Sequence, residues 1–271
     1  MDFGWATTGE EASAALAQHI KGKTILITGV SPGGLGLETA RVIALRDPKL
    51  VILAARSKDK LKQAEEEVKK VAPQTPVRQL VLDLGDLKKV RSAAEEVNSW
   101  EDVPSIDVVV NLSSAGYKAG PVRFDDYNFE GGKQYQKWAA YGQSKSANIL
   151  YARGLAERYG SKGLRAYGVH PGGIWTNLGH HAKDDLRSFG FMDEEGNTVD
   201  SENMKWKTLG QGVSTTIVAA FEPRIADQNG AYLADCQVED TPEEWMKEPE
   251  GPDRLWKLSE RLVGEEFPVP T

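Results

Sequence analysis

The segment Lys23-Thr-Ile-Leu-Ile-Thr28-Gly29-Val-Ser31-Pro-Gly33-Gly34-Leu35-Gly36-Leu-Glu-Thr-Ala40 constrains the fold of this chain more than any other. An apolar run of strand length breaks into a glycine-rich turn and passes directly into residues that favour a helix. Glycine lets the backbone come close to a pyrophosphate, and a helix start offers unpaired N–H groups and the positive end of its dipole. Strand, turn and helix in that order form the context that a dinucleotide fingerprint requires.

The alternation continues downstream. Residues 50–54 read as a buried strand, followed by an amphipathic helix with Leu61, Ala64, Val68, Val71 and Ala72 inward; residues 77–83 read as a third strand, and Leu87, Val90, Ala94 and Val97 mark the next helix. Residues 106–112 supply one more strand, 209–221 a helix, 231–235 a last strand, and 252–263 a helix with Leu255, Leu258 and Leu262 inward. Strands alternating with helices predict an α/β fold, a Rossmann-like, doubly wound parallel sheet in a single domain over 22–271. Residues 1–21 form a helical appendage, in which Thr8-Gly-Glu10-Glu11 reads as a capping box and Ala12, Ala15, Leu16 and Ile20 as an apolar stripe. Trp206, Trp245 and Trp256 are expected to fill the core or support a loop.

A length of 271 residues is ample for one such domain, and a net charge of −7 argues against nucleic acid or an anionic membrane surface as partner. The single cysteine, Cys236, excludes an internal disulfide and reads as a small buried hydrophobe. No apolar run has the length of a membrane span, and residues 1–21 lack a basic-then-apolar leader, so a cytoplasmic location is expected.

In Trp138-Ala-Ala-Tyr141-Gly-Gln-Ser-Lys145-Ser-Ala-Asn148, four residues separate a phenol from an ammonium, which places them on one helix face. The lysine can then stabilise the phenolate and make a usable acid/base. At the end of the second strand, where an acidic residue would hold a ribose 2′-hydroxyl, stands Ala54-Ala55-Arg56-Ser57-Lys58. Arg56 can bind a 2′-phosphate bidentately with Lys58 or Lys60 adding charge, which points to NADP(H) over NAD(H).

Taken together, these motifs resemble the short-chain dehydrogenase/reductase family, in particular its retinol-dehydrogenase-like and WW-domain-oxidoreductase-like branch. The likeness runs from about Gly22 to Val263. The glycine turn is one residue longer than the commonest family spacing. The resemblance implies a catalytic set of Ser114, Tyr141 and Lys145, with Ser113 as the alternative serine, since strand alternation sends one of the two into the site. It implies a cofactor site made of Gly29, Ser31, Gly34, Leu35, Gly36, Arg56, Lys60, Asp83 and Asn111, with Tyr141, Lys145, and Pro171, Gly172, Ile174 and Thr176 of the loop after His170. Asp83 reads equally as a turn cap. The implied reaction is hydride transfer between NADP(H) and a lipophilic alcohol or carbonyl, under a substrate lid over 178–206 in which His180 or His181 is a candidate contact. A homodimer is also implied.

One departure stands out. Ile106-Asp-Val-Val-Val-Asn111 runs straight into Leu112-Ser113-Ser114-Ala115-Gly116, whereas the family separates the two motifs by a helix and a further strand. A strand-helix unit is therefore expected to be missing, and with it a relay asparagine and much of the dimer interface. The alternative function is a catalytically impaired nucleotide-binding variant, or incomplete gene product, of the same family.

Overall fold

Strand and helix alternate as the apolar pattern requires. The computed structural model describes residues 2–103, 105–177, 179, 182–201 and 204–269. Residues up to Ser105 together with Gly172–Phe221 form one compact unit, and Ile106–Pro171 together with the residues from Glu222 onward form another.

The first unit opens with α1 (Gly9–Ala15) and α2 (Ala17–Ile20). The Thr8 hydroxyl accepts the Glu11 N–H while the Glu11 carboxylate accepts the Thr8 N–H, the capping box that the spacing predicts. Ala12, Leu16 and Ile20 are buried, but Ala15 is exposed, because the buried arc runs through Ser13 and leaves Ala15 on its solvent side. There follow β1 (Thr24–Thr28), α3 (Leu35–Ala44), β2 (Leu50–Ala55), α4 (Lys58–Val71), β3 (Val77–Val81) and α5 (Leu87–Asn98). The strands pair in parallel in the order β1-β2-β3, with Thr24 opposite Leu50 and Val51 opposite Val77. β2 is buried along its whole length, which is why its residues are apolar without alternation. Leu61, Ala64, Val68 and Ala72 pack with Leu37, Val51 and Leu53 in the core of this unit.

The third strand ends at Val81, short of Asp83. Asp83 turns the chain instead, its carboxylate accepting the Gly85 N–H at 3.1 Å and its carbonyl the Asp86 N–H at 3.1 Å. Later in this unit come β6 (Gly173–Ile174), α7 (Lys183–Ser188) and β7 (Trp206–Lys207), with β6 and β7 paired in parallel. The helix expected over 209–221 is two, α8 (Leu209–Gly212) and α9 (Ser214–Phe221). Gly212 favours the break: it is a poor helix former, pressed so closely that a Cβ there would stand 2.4 Å from Ile174 Cδ1.

The second unit contains β4 (Val108–Leu112), a 3-10 turn at Ala115–Ala119, α6 (Lys137–Tyr159), β5 (Arg165–His170), β8 (Tyr232–Ala234), β9 (Gln237–Glu239), α10 (Glu244–Lys247) and α11 (Gly251–Val263). Its sheet runs β4-β5-β8-β9, parallel except for β9. β9 escapes the sequence pattern. The last strand stops at Ala234 because Asp235 and Cys236, at φ 49° and 65°, make a tight left-handed turn into an antiparallel partner. Cys236 is buried there. Trp245 packs on the core around Tyr117, Leu150 and Tyr232, and Trp256 stacks on Tyr151 at 6.0 Å. β1 and β4 are each the edge of their own sheet, and Leu26 of β1 is 42% exposed.

Candidate active site

The glycine turn lies wholly in the first unit. Gly29 and Gly33 both have φ of 73°, a left-handed conformation that other residues adopt only at a cost. A Cβ at Gly36 would stand 2.7 Å from the Gly29 carbonyl oxygen, so the start of α3 touches the end of β1 through glycine alone. Gly34 is the N-cap of α3 and offers no side chain to its first N–H groups, and the Ser31 carbonyl accepts the Gly34 N–H at 3.0 Å. Leu35 and Gly36 open the helix. A bare, close-approach helix start of this kind fits a pyrophosphate.

Around that turn the same unit brings several of the predicted residues together. Asn177 Nδ2 donates to the Pro32 carbonyl at 3.1 Å, tying the 172–177 loop to the glycine turn. Ile174 and Leu35 both pack on Gly212. Gly172 is left-handed at φ 100°, and a Cβ there would strike the Lys207 side chain at 2.7 Å. Thr176 is half-buried in this loop. Arg56, directly after β2, and Lys60, in the first turn of α4, are both exposed. The Gly85 N–H, then Lys89, with Arg56 adding its charge, hold the Asp83 carboxyl below the usual range. Asp83 thus serves as a turn cap in this structure.

Ser114, Tyr141 and Lys145 belong to the second unit, with Asn111 and Pro171. Ser114 follows β4 and caps the 3-10 turn, its Oγ accepting the Gly116 N–H at 3.0 Å. Tyr141 and Lys145 lie in α6, and the lysine ammonium sits 5.5 Å from the centre of the tyrosine ring. Gly116 joins serine to tyrosine. A Cβ built on it would lie 2.4 Å from Tyr141 Cε1 and 3.3 Å from Ser114 Oγ, so those two atoms are no farther apart than the sum of these distances. Burial lowers the Lys145 pKa. Trp138, one turn before Tyr141, meets its ring edge-on at 5.9 Å.

Ser113 turns away from the tyrosine. It is 3% exposed and its Oγ donates to the Lys145 carbonyl at 2.7 Å, while its N–H donates to Val169. It therefore pins α6 to the end of β4, a role that the two adjacent serines hint at only through strand alternation. The close contact of Gly116 has no local sequence signal, whereas Asn148 stands three residues after Lys145 and so shares its helix face. The Asn111 Nδ2 is buried without a hydrogen-bond partner, a donor that fits an incoming polar group. Pro171 is buried just after β5. His180 and His181, the candidate substrate contacts, lie outside the described residues, as does Leu178 at the start of the expected lid. Among the described residues, no helix is long and apolar enough to cross a membrane.

The chain matches the family model described as short chain dehydrogenase over residues 23–130. It is 31% identical to short-chain dehydrogenase/reductase prx1 of Penicillium rubens, over 90% of this chain and 86% of the relative. It is 29% identical to retinol dehydrogenase 14 of Homo sapiens, over 90% of this chain and 87% of that one. Among solved structures, it matches L-sorbose reductase from Gluconobacter frateurii, complexed with NADPH and L-sorbose, with a TM-score of 0.56 and 18% identity over 79% of this chain and 95% of that one. The prx1 alignment spans 304 positions, but 90% of a 271-residue chain is only about 244, so about 60 positions of the relative face no residue here.

Proposed function

The chain belongs to the short-chain dehydrogenase/reductase family, and from that premise we propose that it is an oxidoreductase moving a hydride between NADP(H) and a lipophilic alcohol or carbonyl substrate through Ser114, Tyr141 and Lys145. The observation that carries this reading is the convergence on Gly116 of Ser114 Oγ and the Tyr141 ring, with the Lys145 ammonium beside that ring. The cofactor supplies the hydride. Tyr141 gives its phenolic proton to the substrate oxygen in reduction and takes one back in oxidation, while Ser114 holds that oxygen. Lys145 stabilises the phenolate and holds the nicotinamide ribose. In the same reading Arg56 and Lys60 receive the 2′-phosphate, Asp83 meets the adenine, and the glycine turn receives the pyrophosphate.

This reading treats 22–271 as one catalytic domain with 1–21 an appendage, and 178–206 as the lid over a small-molecule substrate. It takes the protein as cytoplasmic, with no nucleic-acid partner, and as able to form a homodimer that is weakened by the missing helix. The test is Tyr141→Phe, which keeps the ring and removes the proton. NADPH-dependent reduction of apolar ketones and aldehydes is expected to fall by about two orders of magnitude with cofactor affinity little changed. Equal turnover in mutant and parent overturns the assignment.

A second reading is a catalytically impaired nucleotide-binding member of the family. The edge position of β1, with Leu26 exposed, and the roughly 60 unmatched positions favour it. Stabilisation by NADPH without turnover on any apolar carbonyl would select it.

A further inference from the structure

The carbonyl of Leu112 points out of the free edge of the β4 sheet. The Arg165 N–H reaches the Asp107 carbonyl at 3.0 Å and the Ser113 N–H reaches the Val169 carbonyl at 2.7 Å, so the odd-numbered residues of β4 turn their main-chain polar groups to β5. By alternation the Leu112 carbonyl faces the other way, where its sheet has no further strand among the described residues. An acceptor so placed needs a donor. Two side chains of α6 supply one each: Lys145 Nζ at 3.3 Å and Asn148 Nδ2 at 2.9 Å.

We propose that Asn148 is a positioning residue for Lys145: by holding the Leu112 carbonyl with its carboxamide, it leaves the lysine ammonium loosely held and free to serve Tyr141. The two distances carry the argument. The amide makes the shorter bond and satisfies the carbonyl, while the lysine contact lies beyond the usual range for a charged N–H donor. Without Asn148, the carbonyl has Lys145 as its remaining donor, and the ammonium is drawn onto it. β4 carries no charged side chain; Lys118 of the 3-10 turn lies over the Tyr117 ring, Tyr167 of β5 bonds the Ile225 carbonyl, and Asp253 of α11 pairs with Arg158 and Lys257. Tyr141 is the titratable group against which Lys145 sits. Burial lowers the Lys145 pKa.

The proposal rests on the oxidoreductase reading for its purpose but not for its test. Competitive acetylation with acetic anhydride across a pH series, mapped by mass spectrometry on the full chain without cofactor, gives the titration midpoint of Lys145 directly. Asn148→Ala is expected to raise that midpoint by about 0.5 to 1 pH unit, because a firmer hydrogen bond to the carbonyl favours the charged ammonium by roughly the worth of one net bond. Asn148→Leu, which keeps the side-chain volume, is expected to do the same, and thermal melting confirms that each variant is folded. A midpoint unmoved or lowered in the folded variants overturns the proposal. If turnover is measurable, it falls with the rise in midpoint; if the parent chain turns nothing over while the midpoint still rises, the positioning role stands and the oxidoreductase reading fails.

Discussion

At the residue scale, small groups decide where the large reactive ones stand. Gly116 is the clearest case, because its missing side chain is the space that the Tyr141 ring occupies. The backbone of Gly116 does not lie in the left-handed region, so the cost of a side chain there is steric rather than conformational. Gly116→Ala would press a methyl group to 2.4 Å from Tyr141 Cε1, a distance that only movement of the ring relieves. We predict that this substitution lowers turnover by about a hundredfold, the effect of misplacing a reacting group by an ångström or so, while the melting temperature changes by only a few degrees. Steady-state kinetics beside calorimetry checks both halves, and unchanged turnover would show that the ring has a second productive seat. Tyr141 and Lys145 were legible in sequence because helical spacing alone puts them on one face. The contact with Gly116 was not, since it joins a turn to a helix more than twenty residues away and depends on packing that no local pattern encodes.

At the element scale, the legible parts are those whose neighbours in space are neighbours in sequence. β1, the glycine turn and α3 follow one another directly, and the close contact of Gly36 with Gly29 is set within eight residues. α4 was legible for the same reason, its inward residues recurring at the helical period. The elements that sequence missed are short and depend on distant partners. β9 is three residues long and exists because Asp235 and Cys236 turn it back onto β8, and the helix over 209–221 divides at Val213, directly after a glycine held against Ile174 and Leu35. Asp83 likewise reads as a strand end in sequence, but its carboxylate is taken by the Gly85 N–H and by Lys89. Cofactor choice turns on the end of β2. With Arg56 exposed there and no acidic residue at the strand end itself, NADPH is expected to raise the melting temperature more than NADH at equal concentration; a ligand at about 100 times its dissociation constant adds about 2.7 kcal/mol. Arg56→Glu should narrow or reverse the difference. Equal shifts from the two cofactors in the parent chain would remove the basis for NADP(H).

At the scale of the whole molecule, the question is what stands beside the edge strands. A doubly wound sheet in the order 3-2-1-4-5-6 places the strand after the third helix beside the first strand, yet here the strand that follows α5, β4, pairs with β5 as a fifth strand would. A strand-helix unit absent between Asn111 and Leu112 would account for that pairing, and the prx1 alignment leaves roughly 60 positions of the relative without a counterpart along this chain. The energetic trace is modest but measurable. Leu26 and Leu112 are 42% and 39% exposed, and covering what remains of the two side chains is worth about 1–2 kcal/mol at the usual value for burying a leucine. For a chain of this size that corresponds to a melting temperature higher by about 2–8 °C, before the inserted segment adds a core of its own. A strand-helix-strand segment from a relative such as prx1, placed between Asn111 and Leu112, is therefore predicted to raise the melting temperature, slow amide exchange on the free edge of β1, and increase turnover together. Since a domain is stable by only about 5–15 kcal/mol, the gain should be plain in a calorimeter. If the unmodified chain already melts cooperatively at high temperature with full activity, and the insertion lowers both, then the edges of β1 and β4 are native to the protein, and the Leu112 carbonyl, held by Asn148 and Lys145, is how it lives without the extra strand.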